Sequence, residues 1–257
     1  MQITTVGLII AERTISDNDK LLTILTKDYG VIKAFARGVK KIKNKNFSAL
    51  SLLSYSDLCI YKGQNKYIIN HATLKKSFFK LKNDIDILTL SQYFCEVIIN
   101  LIGENQDSEN PLKLLLNCLY FLTEQKKNKS LIKSVFELRI LSMSGFMPDL
   151  TMCSNCGNFS DNTNLNFILQ KGQLICNDCL KKSSKKIHSI ALNCNVLAAL
   201  RFITYTDFNK MFSFSLSLDN QSVVSFITEK YLLHCIDKKL NTLDFYNHKH
   251  VGIAKRK

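Results

Sequence analysis

A chain of 257 residues is long enough for two or three small domains or one large one, and its 46% hydrophobic content is ordinary for a folded protein. It has no run of about 18 apolar residues, which excludes a membrane span, and residues 1–5 lack the basic region and cleavage site of a secretion signal. A net charge of +14 points to a polyanionic partner, nucleic acid or an acidic membrane surface.

A chain rich in Lys, Asn and Ile can owe its charge to an AT-rich genome, so the distribution of charge has to decide. Residues 1–80 carry 14 Lys and Arg against 5 Asp and Glu, a net of +9; residues 81–257 carry 21 against 16, a net of +5. Compositional drift does not account for that concentration.

Residues 6–11 form an apolar run of strand length. Residues 21–26 follow and end at the turn Asp28-Tyr29-Gly30, and residues 31–37 start a third strand. Residues 55–61 and 66–74 make a fourth and fifth, with a turn at 62–65 between them. Five short strands in about 80 residues, with one longer gap at 38–54, predict a five-stranded OB-fold barrel.

The periodicity then becomes helical. Asp84 caps a helix with apolar positions Ile85, Leu88, Phe94, Val97, Ile98 and Leu101, which ends at Gly103. Asn110 as cap and Pro111 at the first position open a second helix. Leu131, Val135, Phe136, Leu138 and Leu141 mark a third, ending near Gly145. A cysteine-rich insert covers about 151–182, and helical periodicity returns at 195–202 and 222–240. The basic tail 248–257 has no periodicity and is expected to be disordered. The expected fold is α+β: residues 1–80 an OB-fold nucleic-acid-binding domain, residues 81–257 a mainly helical domain bearing the four-cysteine insert.

Nine cysteines are an odd number, and without an export signal a reducing cytoplasm suits them. Cys153 and Cys156 form one C-x2-C pair, Cys176 and Cys179 another, with 19 residues between. A two-residue gap lets both thiolates of one turn face a point about 2.3 Å away, and four of them fill a tetrahedron. The pattern predicts one structural Zn2+ with no open position for catalysis. Gly157 permits the backbone twist after the second sulfur, and residues 166–175 read as the hairpin joining the pairs. His188 is expected on the surface. Cys59, Cys95, Cys118, Cys194 and Cys235 are expected to be buried small hydrophobes.

Arg37, Lys40, Lys41, Lys43 and Lys45 put five cations in nine residues at the exit of the third strand, with Lys33 beside them. On an OB barrel this is a phosphate-binding segment, and lysines meet phosphate without reading bases. Phe35, Phe47, Tyr55, Tyr61 and Tyr67 lie near in sequence as candidates for base stacking, although for each taken singly core packing is the default. A solvated loop is the alternative. No G-x-x-x-x-G-K-[ST] or H-E-x-x-H occurs, and Asp84 and Asp86 are explained by a helix start, so an enzyme is not expected.

Taken together, these features resemble the RecO family. Residues 7–13 are similar to its first strand, 19–30 to its second strand and turn, and 34–41 to its third strand and basic exit. Residues 136–150, leading directly into Cys153-Ser154-Asn155-Cys156-Gly157, are the most specific stretch. Asn44-Lys45-Asn46 departs from the serine usual after the basic exit. The resemblance implies DNA repair and homologous recombination. It implies binding of single- and double-stranded DNA, annealing of complementary strands, partnership with RecR, contact with single-stranded DNA-binding protein, and help in loading RecA at the nucleoid. A zinc-ribbon DNA-binding regulator would need a base-reading helix, which a chain so poor in Arg does not offer. A protein-interaction scaffold without annealing activity would show no salt-sensitive DNA affinity.

Overall fold

The structure, a computed structural model, describes residues 1–40, 46–64, 66–159, 165–184 and 186–254, with side chains as far as residue 248. They form two compact units: Met1–Gln125 together with the segment from Leu240 onward, and Lys126–Lys239.

The first unit opens with β1 (Gln2–Thr14), β2 (Lys20–Thr26), β3 (Val31–Ala36), β4 (Ser54–Lys62) and β5 (Tyr67–Ser77). Pairing in the order β1-β2-β3-β5-β4, with β4 returning to β1, closes a barrel in which only β3 and β5 run parallel. This is the five-stranded OB-fold expected from the sequence. β1 begins four residues before the apolar run, because Ile3 and Thr5 alternate inward while their neighbours face solvent. Such a half-buried stretch carries no continuous apolar signal. Ile9, Leu22, Ile24, Ile32, Ile60 and Ile69 fill the interior.

Leu8 and Leu25, on the opposite face of the same strands, are fully buried because α1 (Ile85–Leu101) packs on β1 and α2 (Glu109–Glu124) on β2. The helices expected to belong to residues 81–257 are therefore divided: α1, α2 and α7 (Asn241–Ala254) lie in the unit of the barrel. The Asp84 carboxylate accepts from the Asp86 and Ile87 amides, the expected cap of α1. α2 starts after Ser108 rather than after Asn110. Its entry is pinned by the Ser108 amide donating to the Lys27 carbonyl (2.8 Å) and the Glu109 amide to the Asp107 carboxylate (3.0 Å). Pro111 still lies in the first turn, where its missing N–H costs nothing.

Gly30 sits at φ +68°, and a Cβ there would stand 2.0 Å from the Gly103 carbonyl oxygen, which accepts from the Val31 amide at 3.0 Å. The segment after α1 is thereby stitched to the β2–β3 turn. Residues 248–254, expected to be disordered, continue α7 to Ala254, and residues 255–257 lie outside the described residues. Glu96 of α1 accepts from the amides of Asn241 and Thr242 and from the Thr242 hydroxyl, so a distant carboxylate caps this helix.

The second unit holds α3 (Lys129–Met143), a sheet of order β6-β8-β7-β9, and α4 to α6. The strands are β6 (Asp149–Cys153), β7 (Leu165–Ile168), β8 (Gln173–Cys176) and β9 (Ile190–Ala191). The helices are α4 (Asn177–Lys182), α5 (Cys194–Tyr205) and α6 (Leu218–Ile236). The expected hairpin is β7–β8. Asp237, in left-handed backbone at φ +48°, ends α6 where the sequence pattern ran on to residue 240. α3 and α6 enclose an ion cluster. Lys133 lies 2.7 Å from Glu137 and 2.8 Å from Glu229, and Glu137 also accepts from the Thr228 hydroxyl at 2.7 Å.

Candidate metal centre and nucleic-acid interface

Cys153 ends β6, and Cys156 lies in the turn that follows, closed by the Gly157 amide donating to the Cys153 carbonyl (2.9 Å). Gly157 takes φ +69°, the conformation that its position in the motif predicted. Cys176 ends β8 and caps α4, its sulfur accepting from the Cys179 amide at 3.4 Å, while its own amide donates to the Cys153 sulfur at 3.3 Å. The two turns are brought together because β6 pairs with β8, and the Ser154 amide donates to the Leu174 carbonyl at 2.9 Å.

All four sulfurs lie within 4.8 Å of one another, and those of Cys156 and Cys176 are 3.7 Å apart. Thiolates placed about 2.3 Å from a tetrahedral metal stand about 3.8 Å from each other, so the donor set fits such an ion. Burial pushes the Cys153 thiol up, but donation from the amides of Cys176, Cys156 and Asn155 outweighs it and brings the group down to about 6. At Cys156 the Asn158 amide pulls down, yet the neighbouring sulfurs win and push it to about 12. The first thiolate opposes the next, and a cation at the centre removes that conflict. Cys153, Cys176 and Cys179 are buried and Cys156 is exposed; His188 is exposed and outside the group. Of the other five cysteines, Cys95 and Cys118 are buried as expected. Cys59 and Cys235 are only half-buried, and Cys194 is exposed because it begins the first turn of α5.

On the barrel, β3 alternates Ile32, Ala34 and Ala36 inward with Lys33 and Phe35 outward, and Arg37 is exposed in the turn that follows. Lys40 is half-buried, its amide donating to the Asn18 carbonyl. Lys41, Lys43 and Lys45 lie outside the described residues. Beside Lys33 opens a cleft of about 700 Å³ lined by Thr23, Lys62, Gln64, Lys66 and Tyr67 among others, with Glu104 the one carboxylate among the described residues. The Lys62 ammonium lies 5.8 Å from the Tyr29 ring centroid and 5.6 Å from that of Tyr67. Tyr67 donates to Glu104 at 2.8 Å; burial first and this acceptor second push its hydroxyl up to about 12. Phe35, Phe47 and Tyr61 are exposed, contrary to core packing, whereas Tyr67 is buried and Tyr55 half-buried.

Two family models match the chain: Recombination protein O N terminal over residues 1–78, and Recombination protein O C terminal over residues 82–244. The chain belongs to the RecO family. Proteins named DNA repair protein RecO resemble it along their length. That of Acetivibrio thermocellus is 28% identical over 241 residues, 94% of each chain. That of Alkaliphilus metalliredigens is 28% identical over 261 residues, all of both chains, and that of Clostridium novyi 28% over 244 residues, 95% of this chain and 93% of the relative. The family is one of DNA repair and recombination, as the motifs between residues 7 and 157 implied.

Within this RecO chain, sequence reasoning missed Lys62 and Lys66. Their signal was present as the two lysines bounding the β4–β5 turn, a loop that flanks the binding face of OB barrels. It also missed a second basic and aromatic run at the end of β5. There Lys76 lies 4.8 Å from the Tyr120 ring centroid, and Lys82 lies 5.1 Å from that of Phe79, itself 63% exposed.

Proposed function

We propose that this chain is a non-catalytic recombination mediator of the cytoplasm, located at the nucleoid. It binds single- and double-stranded DNA on its barrel, anneals complementary strands and contacts single-stranded DNA-binding protein. With RecR it assists the loading of RecA. The observation that carries the DNA reading is the cleft in which Lys33, Lys62 and Lys66 surround a fixed tyrosine, on the face where OB barrels take single strands. Arg37 and Lys40 follow Lys33 in the sequence and are assigned to phosphate as well, together with Lys41, Lys43 and Lys45, which lie outside the described residues. The strand-annealing, RecR and RecA parts rest on the family. Zinc is the metal we assign to Cys153, Cys156, Cys176 and Cys179, since four thiolates in a closed tetrahedron suit it and leave no site for substrate.

Titration with single- and double-stranded DNA at several salt concentrations, alongside annealing of complementary oligonucleotides without ATP, tests the reading. Each lost phosphate contact flattens the log–log salt slope by about 0.7 on single strands. Replacing Lys33, Lys62 and Lys66 together by alanine is expected to flatten it by about 2 and to slow annealing, equally for unrelated sequences. A wild-type chain with no salt-sensitive DNA affinity would make it a scaffold. Marked sequence preference would favour a regulator, and ATP hydrolysis or DNA cleavage tracking with the protein peak an enzyme.

A further inference from the structure

We infer that the metal-bearing sheet of the second unit carries its own site for nucleic-acid phosphate, in the cleft between Lys171 and Lys182. The inference rests on the DNA-binding reading above but concerns a different unit. The cleft measures about 440 Å³ and lies beside the metal centre, with Cys179 in its wall. Ile168 and Ile175, from the paired strands β7 and β8, contribute apolar floor. Lys171 stands in the β7–β8 turn and Lys182 at the end of α4; both are exposed, and neither has an acidic partner among the described residues. The remaining wall is Ile187 with Ser154, Asn155, Gln173, Ser183 and Ser184, and the last five carry side chains able to donate to oxygen. Among the described residues no aspartate or glutamate lines it.

That composition selects the ligand. Two ammonium groups with hydroxyl and amide donors, and no carboxylate among the described lining residues, suit an oxyanion. An apolar floor beneath them suits a polymer that offers a sugar or base face next to its phosphate, which favours nucleic acid over a free inorganic anion. Lys181 and Lys186 are exposed nearby in sequence and prolong the positive potential. The lysines meet phosphate as point charges, so the contact carries no base code. The zinc turns then have a second consequence: by fixing α4 against β8 they fix the position of Lys182 relative to Lys171.

The test is the full-length double variant Lys171→Gln/Lys182→Gln, with zinc content measured on the same sample. Affinity for single-stranded DNA is followed across salt concentration. Two lost phosphate contacts predict a slope flatter by about 1.4, with zinc content unchanged. A control variant, Lys230→Gln/Lys239→Gln, removes the same charge from the same unit outside the cleft and is expected to leave the slope as in wild type. Inorganic phosphate is added to the wild type as a competitor; weak competition supports a polymer site, while saturable competition at micromolar phosphate would reassign the cleft to a small anion and overturn the inference. A double variant with the wild-type slope, while the barrel variant loses its own contacts, overturns the inference and leaves the DNA reading standing. An equal loss in the control variant also overturns it, because the effect is then one of net charge. A wild-type chain that does not bind DNA removes both.

Discussion

Replacing Cys176 by serine is expected to cost the protein its zinc and the fold of the insert around it. Cys176 does three things at once: its sulfur stands 3.7 Å from that of Cys156, it accepts from the Cys179 amide, and its own amide holds the Cys153 sulfur. Serine keeps the backbone but offers a shorter, harder donor that zinc ranks well below thiolate. A structural zinc contributes about 10 kcal/mol or more to the folding of its site, and no other interaction among the described residues joins the two turns with comparable strength. The variant is therefore expected to purify without metal and to show early loss of structure in the second unit, in thermal unfolding and in proteolysis near residues 150–182. Cys156 is the exposed ligand, so a chelator is expected to enter from its side, and faster at low pH, where protons compete for the thiolates. A Cys176→Ser protein that retains full zinc, or a wild-type protein that has none, would refute the assignment.

Local signals made the metal site and the barrel legible. A two-residue gap between cysteines constrains the chain within one turn, and alternation along β3 constrains each side chain to one face; neither depends on distant residues. The Asp84 cap is local in the same way. What was missed depends on pairings far apart in sequence. Lys33 and Lys66 share a cleft because β3 and β5 run parallel, with Ala34 beside Tyr67, a register that no local pattern announces. Glu96 caps α7 from 145 residues away, so the helix that enters the tail is held at its start by a contact that nothing in residues 248–257 announces. Cys194 shows the reverse case: opening an apolar segment, it was expected inside, but it begins a helix and faces solvent. The cluster of Lys133, Glu137 and Glu229 could not be anticipated, because a lysine and a glutamate four apart read as an exposed helical pair until α6 covers them.

That cluster gives the second large effect. The side chains of Lys133 and Glu137 are 3% and 0% exposed, and that of Glu229 is 19% exposed. Burial pulls the Lys133 ammonium down, but the carboxylates of Glu137 and Glu229 outweigh it and hold the group above its ordinary value. The contribution of Lys133 is therefore present below the unfolded-state value and is lost as pH rises through the folded one. Lys133→Met removes the cation and leaves a buried carboxylate, at a cost of about 3–5 kcal/mol at neutral pH. Glu137 would then take up a proton more readily in the folded state. The deficit is thus expected to shrink as pH falls from 8 toward 5, and urea unfolding at the two values reads this directly. Lys133→Met/Glu137→Leu is expected to recover most of the loss, since Glu229 keeps access to water and the Thr228 hydroxyl keeps the Ser225 carbonyl. A single variant as stable as wild type at pH 8 would mean that water reaches the cluster. The consequence extends to the metal site through α6. Tyr231, two residues after Glu229, donates to the Phe146 carbonyl at 3.1 Å and packs edge-on to Phe167 of β7, 5.4 Å between centroids. Its hydroxyl also fills the space that a Cβ at Gly172 would need, 2.3 Å away. A helix loosened at Glu229 loses its grip on the β7–β8 turn that carries Lys171, so the single variant should surrender zinc to a chelator faster than wild type and the double variant should not.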